Sequence, residues 1–388
     1  MSTKNSEQGP IPGGVGDVVR LAVKLGLTAF GGPAAHIAML RQEVVDRRGW
    51  VSQQHFLDLI GITNLIPGPN STEMVMHIGY ERAGRRGLIA AGLGFIMPAA
   101  LITLGFAIAY KRYGATPSGE DLLSGIKPVV LAVILQAIWR LGRTAVTSLW
   151  QVAFFAGIFA LYVYGTSEIL LLFAGALVYV LVTLAARATT NRSTFAVAPA
   201  WLVSVILQNA DPAVPYSAMR LFLQFLKIGS ILYGSGYVLI AFLRSTFVED
   251  YGWLVEAQLL DAVAVGQLTP GPVFTTATFV GYLVGGFWGA IIATIAIFLP
   301  SFLFVALVNP LLPRLRGRET LSVMLDGITV AALALMAGVG WQLMRDGVID
   351  MLSASLFLVS GVLLVVRNVN SALLILVGGT LGLLSGLI

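Results

Sequence analysis

The 388-residue chain contains no cysteine, which excludes disulfides, thiolate metal sites and thiol redox chemistry. Charge is scarce as well: Asp, Glu, Lys and Arg together make up 11%, too little for a soluble domain of this size. There are only three histidines, His36, His55 and His77. Their 19- and 22-residue gaps give no metal-ligand spacing, so no metal and no cofactor is expected. No Walker-type phosphate loop occurs. Energy for any work is therefore expected from a gradient or the membrane potential, not from ATP hydrolysis. The first 17 residues are polar and rich in Gly and Pro, without the apolar core of a signal peptide. The formal charge of +5 sits on loop arginines and is no nucleic-acid signal.

What the chain does have is apolar sequence: 57% hydrophobic residues and a mean hydropathy of +0.86. Long apolar runs recur, about ten to thirteen depending on how broken ones are counted. An all-α polytopic protein of the lipid bilayer follows. The stretch that organises it is Asn64-Leu-Ile-Pro-Gly-Pro-Asn-Ser-Thr-Glu-Met-Val-Met-His77, which has apolar sequence on both sides. No helix runs through Pro67-Gly68-Pro69. Asn70, Ser71 and Thr72 are N-cap types and Glu73 is an acid in the first turn, so a new helix starts inside the protein. In lipid such breaks survive where freed backbone groups line a protein cavity, and half-helix N-termini there are anion sites.

The chain is also a duplication. Sliding it by 203 positions sets Lys24 on Lys227, Gly49-Trp50 on Gly252-Trp253, Asp58 on Asp261 and Pro67-Gly68-Pro69 on Pro270-Gly271-Pro272. Sixteen of the 46 positions from 24 to 69 are identical. After a one-residue gap, Gly79-Tyr80, Gly87 and Pro98 fall on Gly281-Tyr282, Gly289 and Pro300. The expected division is a polar tail at 1–17, a first repeat at 18–194, a linker at 195–218 and a second repeat at 219–388.

Loop charges indicate opposite orientations, because cytoplasmic loops collect Lys and Arg. Arg41, Arg47 and Arg48 face one basic residue among three acids at 244–256, and Arg82, Arg85 and Arg86 face none at 283–288. Arg140 and Arg143 are answered by Arg345 with Asp346 and Asp350, and Arg187 and Arg192 by an uncharged C-terminus. Where the first repeat is poor the second is richer, with Arg367 against Glu168 and Arg314, Arg316 and Arg318 against the neutral 111–121. All six comparisons reverse, as in inverted-repeat transporters. Basic loops on both sides of 50–81 make that segment a re-entrant pair. The preferred count gives each half five crossings, with 18–40 spanning. A second count makes 18–40 re-entrant as well and uses the short 195–208 piece as the inverting crossing.

Phe30-Gly-Gly-Pro-Ala-Ala-His36, Trp50 and the Asn64–Met74 stretch resemble the bacterial chromate transporter family. The tandem layout is similar to its long-chain, two-domain members, and the resemblance covers about 18–388. It implies chromate export across the plasma (inner) membrane, with sulfate as the isosteric competitor. The second repeat departs from the pattern: Gly32-Pro33 becomes Ser235-Gly236, His36 becomes Leu239 and Glu73 becomes Thr276.

A tetrahedral dianion needs positive potential and directed donors. The half-helix N-termini after Pro69 and Pro272 supply both. Ser71, Thr72, Thr275 and Thr276 add hydroxyls, which can also serve as N-caps, and Asn64, Asn70 and Gln267 add amides. Lys24 and Lys227 lie inside apolar stretches and form either a matched cationic pair or two snorkelling side chains. Glu73, with His77 one turn later, and His36 are the proton-coupling candidates, since burial drives a carboxyl toward its neutral form. A capping glutamate is the competing reading. Asp58 and Asp261 are hairpin-packing groups or ion ligands. The expected function is a secondary transporter rather than an enzyme. An intramembrane lipid-phosphate enzyme using Glu73 and the histidines is disfavoured by the duplication, because a hydrolase needs one site. Partners are chromate, sulfate as a rival anion, and lipid, with a homodimer left open.

Overall fold

A computed structural model describes residues 14–30, 32–64, 66–188, 215–233, 236, 238–309, 319–347, 350–367 and 369–386. The N-terminal tail up to 13, the stretch 189–194, the 195–208 piece, residues 209–214 and the loop arginines 314, 316 and 318 lie outside the described residues. Every regular element among the described residues is helical.

The first repeat contributes α1 (Val15–Thr28), α2 (Gly32–Arg41, continued by a π-turn at Gln42–Arg47), α3 (Gln53–Thr63), α4 (Asn70–Tyr113), α5 (Pro117–Ala145), α6 (Leu149–Val163) and α7 (Glu168–Ala188). The second contributes α8 (Ala218–Ile231), α9 (Leu239–Leu243, continued by a π-turn at Arg244–Asp250), α10 (Glu256–Leu268), α11 (Thr276–Val308), α12 (Glu319–Gly347), α13 (Met351–Val366) and α14 (Ser371–Ser385). The duplication holds element by element. Helices α1 and α8 start 203 positions apart and are each 14 residues long. Helices α5 and α12 start 202 apart and each have 29.

Local chemistry sets the boundaries. Ser52 caps α3 by accepting the His55 N–H, and Thr116 caps α5 ahead of Pro117 at its first position. Ser148 and Gln151 close a capping box on α6, and Asp350 and Ser353 repeat it on α13.

The 44-residue α4 is really a hairpin. Ala83 and Gly84 leave helical geometry, with Gly84 at φ 60°, ψ −150°, which an L side chain adopts only with strain. The arms 70–82 and 85–113 then pack so closely that Gly79 and Gly87 touch backbone to backbone. Gly285 and Gly286 repeat the turn in α11, and Gly281 and Gly289 repeat the contact.

Residues 18–40 do not form one straight helix. From Gly32 to Glu43 the chain runs about 17 Å. Yet Lys24 Nζ, four residues before the end of α1, lies 2.8 Å from Glu43 Oε1. Helix α2 must therefore fold back sharply along α1. The break the sequence announces at Phe30–Pro33 is a hairpin corner, so 18–40 is not one straight crossing, while the 195–208 crossing of the second count falls outside the described residues.

Among the described residues, four helices are long and apolar enough to cross a membrane: Asn70–Tyr113, Pro117–Ala145, Val273–Val308 and Val323–Arg345. Shorter apolar helices are Leu149–Val163, Glu168–Thr183, Met351–Val366 and Ser371–Ser385.

The chain forms two compact units, and each draws on both repeats. The first takes Met1–Ile108, Ala218–Gly236 and Val265–Arg314. Its core includes Leu21, Leu25, Phe56, Leu59, Met74 and Phe95. The second takes Ala109–Ser217, Tyr237–Ala264 and Leu315–Ile388. There α5 packs on α13 and α14, while its counterpart α12 packs on α6 and α7. Buried Asp261 is paired with Lys127 Nζ at 3.4 Å and accepts the Tyr110 hydroxyl at 2.9 Å. Asp58, its partner by sequence, accepts the Gln54 amide in the first unit.

Candidate functional site

Within the first unit, helix breaks meet in reciprocal pairs. The Gly68 N–H donates to the Leu232 carbonyl at 2.7 Å, where α8 ends. The Gly271 N–H donates to the Ala29 carbonyl at 2.9 Å, where α1 ends. The 203-residue offset carries Gly68 to Gly271 and Ala29 to Leu232, so each Pro-Gly-Pro tip satisfies an orphan carbonyl of the other repeat. Gly68 has φ 140° and Gly271 φ 90°, both outside the range of ordinary side chains.

Each tip also rests on a long arm of the other repeat, one residue after its internal proline. A Cβ at Gly271 would lie 2.7 Å from Ala99 Cβ, and one at Gly68 would collide with Ser301 Oγ and Glu73 Oε1. Ala99 and Ser301 are repeat counterparts, following Pro98 and Pro300.

Chemically the two tips differ. Glu73 at the first tip is 0% exposed, and neither of its carboxylate oxygens has a hydrogen-bond partner among the described residues. Ser301 Oγ and Thr72 Oγ1 beside it are likewise buried and unpartnered there. His77, also 0% exposed, faces Asn309 Oδ1 through Nδ1 at 3.0 Å. The Asn309 amide nitrogen donates to the Val305 carbonyl, which turns Oδ1 toward the ring. Nδ1 therefore carries the proton, and Nε2, with no partner among the described residues, is the free acceptor. His36 Nδ1 lies 3.3 Å from Ser71 Oγ. At the second tip the hydroxyls are spent. Thr275 donates to the Pro272 carbonyl, Thr276 to Val273 and Thr269 to Val265. The Thr103 hydroxyl then faces Thr275 and Thr269 at 3.3 and 3.5 Å.

Pro67, Pro69, Pro270, Pro272 and Gln267 are buried with the tips. The Asn70 amide donates to Asn64 Oδ1 at 2.6 Å, and Asn64 is exposed. Lys24 is engaged by Glu43, which also takes Arg47 at 2.6 Å and Arg48 at 3.4 Å, and Lys227 is exposed on α8. The residues that sequence reasoning missed are Ser301 and Thr103, which reach the tips from the long arms, and Asn309, which follows α11 and meets His77. Comparing the two repeats at the residue after the helix proline would have exposed Ser301 against Ala99. Glu81 was also missed. It follows His77 by one turn and holds His55 Nε2 at 2.5 Å.

Discontinuous helices whose broken ends meet inside an apolar helical protein define an integral membrane protein built like a transporter. Comparison with known proteins narrows the class. The profile described as chromate transporter matches residues 16–181 and 219–383, so the chain belongs to the chromate transporter family. It is 34% identical to the chromate transport protein of Pseudomonas aeruginosa, over 81% of this chain and 77% of that one. A probable chromate transport protein of Synechococcus elongatus is 31% identical over 85% and 84%. The chromate transport protein of Cupriavidus metallidurans is 30% identical over 94% and 91%. No solved structure matches the chain.

Proposed function

We propose that the protein is a secondary transporter that exports chromate from the cytoplasm across the plasma membrane by alternating access. The observation that carries this is the reciprocal meeting of Pro-Gly-Pro tips and helix ends from two repeats, in a chain of the chromate transporter family. The half-helix N-terminus after Pro69, with Ser71 and Thr72, faces the anion, and Glu73 governs whether it can stay. An ionised Glu73 at roughly 5 Å would repel a dianion by about 7 kcal/mol at an effective dielectric near 20. Glu73 therefore holds a proton while the anion is bound. The loaded site carries one net negative charge or more, and a membrane potential negative inside drives each such charge outward with about 2.3 kcal/mol per 100 mV. The inverted arrangement of the repeats, supported by the reversal of loop charges, supplies the two alternating states. Sulfate, with the same shape and charge, competes at this site.

Labelled chromate uptake into inverted vesicles, with pH and voltage set separately, tests the reading. Uptake should rise with an inside-positive potential, should compete with sulfate, and should release no product. In the same vesicles Glu73→Gln keeps size and hydrogen bonding but removes the titrating group. Binding should persist, and the loss of transport as pH rises should flatten. A parent-like pH slope would return Glu73 to a capping role.

A further inference from the structure

We propose that Glu81 and His55 form the mouth of a proton path that runs along one stripe of α4, through His77, to Glu73. The inference rests on the reading of Glu73 as the proton site and adds the route that supplies it.

Residues 73, 77 and 81 recur every four positions, so they stack on one helix face with about 5–6 Å between neighbouring Cβ atoms. Each keeps a buried polar atom that no described protein group satisfies: both oxygens of Glu73, Nε2 of His77 and Oε2 of Glu81. Three stacked ionisable residues with spare atoms are costly in apolar surroundings. They are not required for packing, because the second repeat builds the same hairpin without them. Thr276 stands for Glu73, Phe279 or Val280 for His77 according to where the gap falls, and Leu283 for Glu81. His55 becomes Gln258.

Access also grades along the stripe. Glu73 and His77 are 0% exposed, the Glu81 side chain 11% and the His55 side chain 29%. The path thus opens where α3 begins and the first arm of α4 ends. Arg48 and Arg82 sit against the Trp50 ring there, with guanidinium carbons 5.0 and 4.7 Å from its centre.

The groups that face the stripe are few. Tyr233, at the end of α8, lies within electrostatic range of Glu73, and Ser301 abuts its carboxylate. Asn309 holds His77, which is also within range of Glu81. His36 of α2 contacts Ser71 on the adjoining face, and His55 of α3 and Arg82 adjoin Glu81.

A proton from water reaches the partly exposed His55 ring, the Nε2 proton passes to Glu81 Oε1, and proton exchange with water then restores the Nε2–H form. Rotation of that carboxyl offers the proton to His77 Nε2, while Nδ1–H stays on Asn309. The imidazolium turns about its Asn309 contact, releases the Nε2 proton to the Glu73 carboxylate and returns to neutral. No bond between heavy atoms changes and no other reactant is needed.

The test uses full-length protein in proteoliposomes and measures chromate flux from about pH 6 to 8. It compares the parent with Glu73→Gln, Glu81→Gln, His55→Gln and the last two combined. Loss of the mouth should slow flux about tenfold or more at the alkaline end and little at the acid end, where protons are plentiful. Chromate binding should be unchanged, and added imidazole should restore the His55 variant. Parent-like profiles with no imidazole effect, or a lower Tm with an unchanged profile, would overturn the path while leaving Glu73 in place. A parent-like profile for Glu73→Gln itself would overturn both readings. Should Glu81→Gln fail to insert, His55→Gln decides alone, since His55 lies at the accessible end.

Discussion

A lysine inside apolar sequence has two ways to survive: reach water or find an acid. Lys24 does both: its side chain is 46% exposed, and it pairs with Glu43, a buried carboxylate that also receives Arg47 and Arg48, so three cations close the α1–α2 hairpin on one acid. Hydrogen bonding from Lys24, then Arg47 and Arg48, outweighs burial and holds the Glu43 carboxyl below its ordinary value of 4.5. A depressed folded value means the stabilisation is complete above about 4.5 and is lost as pH falls through the folded value. Thermal unfolding in detergent should therefore be insensitive to this group near neutrality and should weaken in acid. Glu43→Gln should cost about 1–3 kcal/mol at pH 7 and remove this acid-side contribution. An unchanged Tm at pH 7 would show that the cluster contributes nothing. Nothing local singles out Glu43 over Asp46 in the basic 41–48 segment, because its pairing with Lys24 depends on α2 turning back. Glu73 and His77 were legible because they adjoin the Pro-Gly-Pro break. Ser301 and Asn309 were not, since they meet those residues only through packing between repeats.

At the scale of elements, boundaries were more legible than directions. Arginines 82, 85 and 86 mark the turn inside α4, and the Pro-Gly-Pro breaks mark both tips. Whether a broken segment continues or returns is not local information. It is fixed by contacts such as Lys24–Glu43 and His55–Glu81, which bring the open ends of hairpins together. The second unit is held differently. Helices α5 and α14 approach so closely that Gly125 and Gly378 touch through their backbones. A buried ion pair, Lys127–Asp261, ties α5 to α10. Lys127→Met leaves Asp261, only 2% exposed, with the Tyr110 hydroxyl as its remaining partner there. That should cost about 3–5 kcal/mol, and adding Asp261→Asn should recover most of it, because an unpaired buried charge costs more than a neutral pair. Thermal unfolding of the single and double variants measures the difference. A double variant no better than the single would mean that the pair stabilises through its charges.

On the scale of the whole molecule, reciprocal exchange is the signature of a two-fold relation. Gly68 donates to Leu232 and Gly271 to Ala29 in one unit, while α5 takes α13 and α14 as α12 takes α6 and α7 in the other. Contacts of this kind, in which i meets j and j meets i, are isologous. An axis along the membrane normal would put equivalent loops on one side, and an axis in the membrane plane would put them on opposite sides. The six reversals of loop charge argue for the in-plane axis. A chain without cysteine allows a direct check. Asp46→Cys lies in the π-turn after α2, Arg85→Cys adjoins the first-repeat turn at Ala83–Gly84, and Phe287→Cys adjoins the equivalent second-repeat turn at Gly285–Gly286. Phe287 is exposed, so replacing it removes no core contact. With an impermeant thiol reagent, the Asp46→Cys and Arg85→Cys variants should label in inverted vesicles, and the Phe287→Cys variant in right-side-out cells. Labelling of positions 85 and 287 from the same side would mean parallel repeats. The two Pro-Gly-Pro tips would then face the same compartment and could not exchange roles between the two states of a transport cycle.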